Sequence, residues 1–470
     1  MLMYKFNIYY LRFFTTIISV LCFFNILYSY YFNLYLNIDA YFYTLIISLI
    51  PLLSFLIKSS DIKKVSIYYK IQTVILGYFI LPIIIALPYY LSIYNITFIN
   101  AYFESISGFT STGFTIFENI KHLDESIIIW RSSSQWIGGL YFLFSILLLI
   151  DIFDDNLKKT ITNFLSFNSS EIFKQFSKIL IFYFLLTLIV FIIFNIFELR
   201  SFTSLNLALS VISSGGFLPT NNLSSILNTE LKINLFSITL LISFFGLFFL
   251  YNIFLIKSKG LKSIQEDLYL LFYLLFVYSI FFIFTDKSID FNYLFLAISS
   301  SVSNVGISLE NTPQKFSFIF LLLIIVGGSF FSTSSGLRFI KIYSLVKFSI
   351  NELISHSKPK NIFLNKLAFS DKNMNLDDFY KYFLTIIIFI ISLIVLSSIL
   401  SISGLSIDKA FKLSILTLMN TVNSTMTGLP NFNFQEINHI SKYSLILFMI
   451  IGRVELITIL ILCKKFFFKN

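Results

Sequence analysis

Residues 97–114 read TFINAYFESISGFTSTGF, a short and mostly apolar segment that closes on Ser111-Thr112-Gly113-Phe114. A helix that crosses a bilayer needs about 20 apolar residues, so this segment is too short to span and reads as a re-entrant helix. The same reading recurs near 202–214, 291–303 and 408–420. Those segments close on Ser214-Gly215-Gly216, Asn304-Val305-Gly306 and Thr421-Val422-Asn423. One Ser-x-Gly is a common turn. Four ordinary helix C-caps, where Gly or Asn is expected in any protein, are the plain alternative. Four triplets at equivalent places carry more weight than any one of them.

The surrounding chain sets the environment. Of 470 residues, 57% are hydrophobic and 12% charged. Soluble domains carry roughly 25% charged residues, and half of that leaves a soluble fold of this length uncovered. This excludes a soluble enzyme and a nucleic-acid-binding domain. The net charge of +10 then belongs to basic cytoplasmic loops, with no nucleic acid as partner. Cys22 and Cys463 lie near opposite ends, and His122, His356 and His439 have no metal-ligand spacing.

Candidate spans cover 9–31, 40–57, 71–94, 126–150, 176–197, 233–256, 267–285, 316–350, 379–402 and 441–463. The run from Leu11 to Tyr31 is too long for a signal peptide and no small-residue cleavage site follows it, so it is expected to remain as a first helix. With the N-terminus inside, alternation puts Lys63, Lys64, Lys158, Lys159, Lys257 and Lys259, among most of the 34 basic residues, on the cytoplasmic side. All four short segments then face outward and both termini lie in the cytoplasm. From the third span onward the order helix, short segment, helix repeats four times. The expected division is two N-terminal transmembrane helices in 1–66, repeats at 67–158, 159–262 and 263–350, a polar cytoplasmic loop at 351–378, and a fourth repeat at 379–470.

Four loops of this kind have a chemical use. A potassium ion sheds its water only where carbonyl oxygens replace it, and backbone carbonyls from four loops can do this. Glycine permits the torsions that aim those carbonyls. A short helix ending at the loop turns the negative end of its dipole toward the path, which favours a cation.

Two further features lie deeper. Residues 327–336 read GGSFFSTSSG, a Gly/Ser/Thr stretch that breaks the inner helix of the third repeat. About ten residues at 1.5 Å each place it near the bilayer midplane, where it reads as an obstructing loop or as a kink with small-residue packing. Arg453, in Gly452-Arg453-Val454-Glu455-Leu456, falls inside the last span. A mid-membrane Arg needs a cavity or a partner, and Glu455 at i+2 points to another face of the helix. It reads either as a fixed positive charge in the pore or as one half of a salt bridge. The stretch from Trp130 to Gly139 reads as structural, with Trp130 and Trp136 at the outer interface and Arg131 snorkelling there.

These residues together resemble the membrane subunit of the Trk/Ktr/HKT superfamily of potassium transporters. The likeness rests on Ser107-Gly108-Phe109-Thr110-Ser111-Thr112-Gly113-Phe114, the Trp130–Gly139 stretch, Ser214-Gly215-Gly216-Phe217, the 327–336 loop and Gly452-Arg453-Val454-Glu455-Leu456, and spans about residues 67–465. The two extra N-terminal helices are similar to the Trk branch. The resemblance implies an all-α integral membrane protein whose four helix–pore-loop–helix repeats surround one pseudo-fourfold pore. It implies a homodimer in the bacterial inner membrane, transporting potassium, with a cytosolic nucleotide-binding regulatory subunit on a separate chain. It matches the filter glycines to Gly113, Gly216 and Gly306, with Asn423 at the fourth position. It matches the gating loop to 327–336, including Gly327, Gly328 and Gly336, and the pore arginine to Arg453. Asn304 and Asn423 depart from the family pattern, and a rival register puts Gly428 fourth.

A secondary permease for another monovalent cation or a polar solute also uses broken helices, though commonly in inverted repeats. A membrane-embedded enzyme would need clustered His, Asp or Glu at membrane depth, which the sequence does not display. It holds no Walker-type loop, so no nucleotide hydrolysis is expected.

Overall fold

A computed structural model describes residues 2–51, 66–149, 172–247, 265–285, 290–357, 376–430 and 432–454, with the single residues Leu250 and Thr458. Most of the basic loop residues that set the expected topology, the bulk of the 351–378 loop, and Glu455, Leu456 and Cys463 lie outside the described residues.

Helices dominate. The first pair is α1 (Leu2–Tyr31) and α2 (Ile38–Leu49). Four outer helices follow in turn along the chain: α3 (Ile67–Tyr90), α6 (Ile172–Ile196), α9 (Gln265–Phe284) and α13 (Leu376–Ile402). Each leads to a short helix: α4 (Phe98–Phe109), α7 (Ser201–Ile212), α10 (Phe291–Val302) and α14 (Ile407–Leu418). Each short helix has 12 residues, about 18 Å, well under the roughly 30 Å of a hydrocarbon core. The inner helices are α5 (Glu125–Leu148), α8 (Glu230–Leu240), α11 (Ser317–Ile325) and α15 (His439–Arg453).

Of the inner helices as described, α5 is the longest, with 24 residues and no interruption. The span expected at 233–256 stops being α-helical after Leu240 and tightens into a 3₁₀ turn at Leu241–Ser243. The span expected at 316–350 divides into α11, a two-residue strand β1 (Val326–Gly327), the loop, a second strand β2 (Leu337–Arg338) and α12 (Phe339–Ser357). The strands pair in parallel, Val326 with Leu337 and Gly327 with Arg338. Helix α12 continues to Ser357, past the expected repeat boundary at 350.

Packing closes the repeats into a ring. Each inner helix packs on the short helix of the next repeat: α5 on α7, α8 on α10, α11 on α14, and α15 back on α4. Repeats one and three of this cycle, and two and four, therefore face each other across the centre. Helix α5 is buried from Ser126 to Leu148, because α1, α3, α4, α6 and α7 surround it. Tyr10 of α1 stacks on Phe144 and Phe14 meets Tyr141 edge-on, each at 4.8 Å, seating the N-terminal pair on the first repeat. Large apolar side chains on α6, α9 and α13, such as Phe184, Phe272 and Ile394, are exposed. In water such faces would be a liability; against lipid tails they are matched. Five helices among the described residues are long and apolar enough to cross a membrane. The chain is an all-α, multi-pass integral membrane protein.

Candidate ion-conduction site

Each short helix ends in the same backbone motif. Ser111, Ser214, Asn304 and Asn420 all adopt left-handed torsions, with φ of 58°, 56°, 59° and 47°. Their N–H groups donate to Gly108, Val211, Ser301 and Thr417 carbonyls. The next N–H, of Thr112, Gly215, Val305 and Thr421, reaches back to Ser107, Ser210, Ser300 and Leu416. This paired pattern is a Schellman cap, and it satisfies helix-end carbonyls that would otherwise be stranded in a dry interior. The plain C-cap reading and the functional reading thus describe one object: four C-capped helices whose caps meet.

The shared motif fixes the register. Two residues beyond each left-handed residue stand Gly113, Gly216, Gly306 and Val422. The fourth equivalent is therefore Val422, one residue before the expected Asn423. The Asn423 amide turns away to donate to the Leu429 carbonyl at 3.1 Å. Gly428 has φ of 73° and sits beside the Lys412 ammonium, so it caps a separate turn. The slip has a physical cause. Asn420 carries the left-handed torsion, a role Asn tolerates nearly as Gly does, but a sequence pattern anchored on Ser/Thr starts one residue later.

The four positions converge. A Cβ added to Gly113 would lie 2.8 Å from Gly216 Cα and 3.0 Å from Val422 Cβ. One added to Gly306 would lie 2.5 Å from the Val422 carbonyl oxygen. Gly113 and Gly306 have φ of 83° and 85°, which side-chain-bearing residues rarely adopt. Ser111, Thr112, Ser214, Gly215, Asn304 and Val305 are buried behind them. Above lies a cavity of about 630 Å³ lined by Gly113, Gly216 and Val422, with Glu118, Glu310 and Arg131 on its walls.

Side chains behind the ring hold the turns. Asn420 Nδ2 donates to Thr112 Oγ1 at 3.0 Å and to the Met449 carbonyl at 2.9 Å, tying the fourth turn to the first and to α15. Asn304 Nδ2 donates to the Ile324 carbonyl at 2.6 Å, the matching contact on α11. Gln135 Oε1 accepts from Ser210 Oγ at 3.2 Å and from the Phe217 N–H at 3.3 Å. Gly452 and Gly138 let inner helices touch the carbonyls of Leu418 and Phe109 at the short-helix ends, where a Cβ would overlap.

The Trp130–Gly139 stretch does more than mark an interface. Trp130 and Trp136 are buried, donating to the Ile85 carbonyl and to Thr187 Oγ1 at 3.0 Å each. Arg131 does not snorkel. It is buried, pairs with buried Glu104 at 2.9 Å, and lies over the Phe217 ring at 4.2 Å. Glu104 also accepts from the Ile116 N–H at 2.8 Å and from Thr115 Oγ1 at 3.0 Å. Glu104 went unnoticed in the sequence because one carboxylate in an apolar segment carries no pattern. A lone charge in a segment read as membrane-embedded is itself the available signal.

Below the ring, the 327–336 loop is buried and held on both sides. Ser329 and Ser334 N–H groups donate to Phe244 and Ser243 carbonyls at 3.0 and 3.1 Å, and Phe331 accepts from the Leu247 N–H at 2.8 Å. The loop thereby docks on the break in α8. Glu266, at the start of α9, accepts from the Phe330 N–H at 2.9 Å and from Ser329 Oγ at 3.2 Å. Thr333 Oγ1 donates to the Ile212 carbonyl at 2.8 Å, directly beneath the second short helix. Gly327 and Gly336 meet at the loop base, and Gly328 abuts the Phe244 carbonyl. Arg453 donates to Ser335 Oγ of the loop and, at 3.4 Å, to Ser111 Oγ. Its guanidinium lies over the Phe142 ring at 4.0 Å. Among the described residues Arg453 forms no ion pair with a carboxylate, so the salt-bridge reading has no support there. No group of three or more His, Cys, Asp or Glu among them is placed to hold a metal.

This architecture is that of an all-α membrane protein in which four short helices meet at their capped ends. It matches the crystal structure of the potassium transporter TrkH from Vibrio parahaemolyticus with a TM-score of 0.79 over 99% of each chain, at 19% identity. In sequence the chain is 24% identical over 431 residues to the Trk system potassium uptake protein TrkG of Escherichia coli, covering 84% of each. It is 25% identical over 429 residues to an uncharacterized cation transporter of Methanocaldococcus jannaschii, covering 87% of this chain and 85% of that one. No family model matches. Its sequence relatives include Trk potassium uptake proteins, and its fold is that of the TrkH structure.

Proposed function

We propose that this protein takes up potassium across the bacterial inner membrane through the ring formed by Ser111–Gly113, Ser214–Gly216, Asn304–Gly306 and Asn420–Val422. The observation that carries the reading is the fourfold recurrence of one capped turn, with all four turns meeting beside a cavity lined by Gly113, Gly216 and Val422. Backbone carbonyls so gathered replace part of a cation's hydration shell. The short helices end at the ring, so their negative dipole ends favour a cation and disfavour an anion. The named activity of the Escherichia coli relative is consistent with potassium as cargo.

The 327–336 loop acts as the gate and Arg453 as a fixed positive charge beneath the filter. Both termini lie in the cytoplasm. The protein works as a homodimer with a cytosolic nucleotide-binding subunit, and its four repeats run over 67–158, 159–262, 263–350 and 379–470. The test is growth of a potassium-uptake-deficient bacterium expressing the chain at limiting potassium, with and without added sodium. Growth restored at low potassium and insensitive to sodium supports the reading. Growth that depends on sodium favours a sodium-coupled permease.

A further inference from the structure

We infer that Val422 sets both conductance and ion preference at the outer mouth of the path, by lying across its axis against Gly216. The inference deepens the cation-conduction reading and rests on it. The order of packing places the second and fourth repeats opposite each other. Across that diagonal, a Cβ built on Gly216 would overlap Val422 Cβ and lie 2.8 Å from its Cγ1. The two backbones are thus separated by a single side chain, and that side chain is valine. From the first repeat, a Cβ on Gly113 would lie 3.0 Å from Val422 Cβ, so the isopropyl group fills the space left by two glycines.

The backbone explains why a β-branched residue fits at this position. Gly113 and Gly306 have positive φ, whereas Gly216 and Val422 do not. The ring is therefore twofold at this level. Repeats one and three require glycine for their torsions. Repeats two and four are limited by space instead: a Cβ on Gly216 would overlap Val422 and also lie 3.2 Å from the Val305 carbonyl oxygen, a tight contact that the neighbour relieves by a small shift. Valine is stiff at χ1, so the isopropyl group leaves the axis by a whole rotamer change or by movement of its turn. Val422 also lines the water-facing cavity together with Gly113 and Gly216, which puts this constriction at the entrance.

A second effect concerns the carbonyls. The Val422 N–H donates to the Val305 carbonyl at 3.3 Å. Selectivity depends on the number and field strength of the carbonyl dipoles offered to the ion. A carbonyl engaged by an N–H offers less, and the apolar isopropyl group offers nothing. Potassium-over-sodium preference is accordingly lower here than in a ring of four unengaged carbonyls. Flux scales with the fraction of time that Val422 is off the axis.

The test is initial uptake of rubidium and of sodium by cells expressing the wild type, Val422→Gly, Val422→Ala, Gly216→Ala, and Val422→Gly with Gly216→Ala, each normalised to protein in the membrane. An open fraction of about one tenth predicts a tenfold rise in rubidium uptake for Val422→Gly, with Val422→Ala between it and wild type. The rubidium-to-sodium ratio rises in the same order. Gly216→Ala alone drops uptake toward background, because its methyl group meets Val422; adding Val422→Gly restores it. Wild-type rate and ion ratio in both Val422 variants overturn the inference, as does a Gly216→Ala defect that Val422→Gly does not relieve. If the series responds in sodium uptake alone, the constriction stands and the potassium reading falls. If no variant takes up either ion, both fall.

Discussion

Arg131 of α5 and Glu104 of α4 form a 2.9 Å ion pair with both side chains buried, and Arg131 lines the same cavity as Gly113, Gly216 and Val422. The pair fixes the first short helix to the inner helix behind it and, through Thr115 and the Ile116 N–H, shapes the wall of the mouth. Removing one member leaves a buried charge unmatched, at a cost of about 3–5 kcal/mol. Arg131→Met is therefore expected to lower the melting temperature in detergent and the yield in the membrane. Replacing Glu104 by Leu in the same chain should recover part of that loss, since two apolar groups leave nothing unpaired. A single variant as stable as wild type would show that the pair is not holding the mouth.

The 327–336 loop lies below the ring and is pinned by main-chain hydrogen bonds to Ser243, Phe244 and Leu247, beyond the end of α8, and by Glu266. Substituting Ser334 by Leu crowds Gly328 and removes the Ser334 Oγ bond to the Gly328 N–H. Uptake rate should change while the rubidium-to-sodium ratio stays at the wild-type value, because no ring residue moves. A shift in the ratio as large as the shift in rate would place the loop within the filter.

Arg453 joins the loop to the ring, touching Ser335 and Ser111. Replacing it with Ala removes both tethers and a positive charge under the ring, where a cation feels it with little screening. Cation uptake should rise by about tenfold, the effect of a barrier lowered by 1.4 kcal/mol. Arg453→Lys keeps the charge and should stay nearer to wild type. A variant that fails to accumulate in the membrane would mean the guanidinium acts chiefly as a structural tether.

Much of this was legible in advance, for identifiable reasons. The four short helices follow from apolar length alone: 97–110, 202–214, 291–303 and 408–420 became Phe98–Phe109, Ser201–Ile212, Phe291–Val302 and Ile407–Leu418. The break at 327–336 was visible because Gly, Ser and Thr crowd there. The break after Leu240 was not, because Leu241–Gly246 keeps an apolar sequence and its interruption comes from docking the loop of another repeat. Glu104 and Gln135 act through partners distant in sequence, and a single chain carries no trace of such pairings. The fourth turn starts at Asn420, one residue before the pattern of residue types suggests, since torsion rather than residue type defines its start.

That register is itself testable. With Val422 in the ring, Asn423→Leu should lose only the hydrogen bond to Leu429, about 1 kcal/mol of local stability, with uptake near wild type. Gly428→Ala strains a turn with φ of 73° outside the ring and should likewise leave the rubidium-to-sodium ratio unchanged. Abolished uptake in Asn423→Leu with full protein levels would return Asn423 to the filter.

The most direct test of the central claim is rubidium uptake, with sodium as competitor, by potassium-uptake-deficient cells carrying either the wild type or Gly113→Asp. Gly113 has φ of 83° and lies within 3 Å of Gly216 Cα and Val422 Cβ for any added Cβ, so a carboxylate there both strains the turn and enters the path. The account predicts rubidium uptake by the wild type that sodium competes with poorly, and background uptake by Gly113→Asp at equal membrane protein. Equal uptake and equal sodium competition in the two strains would contradict it.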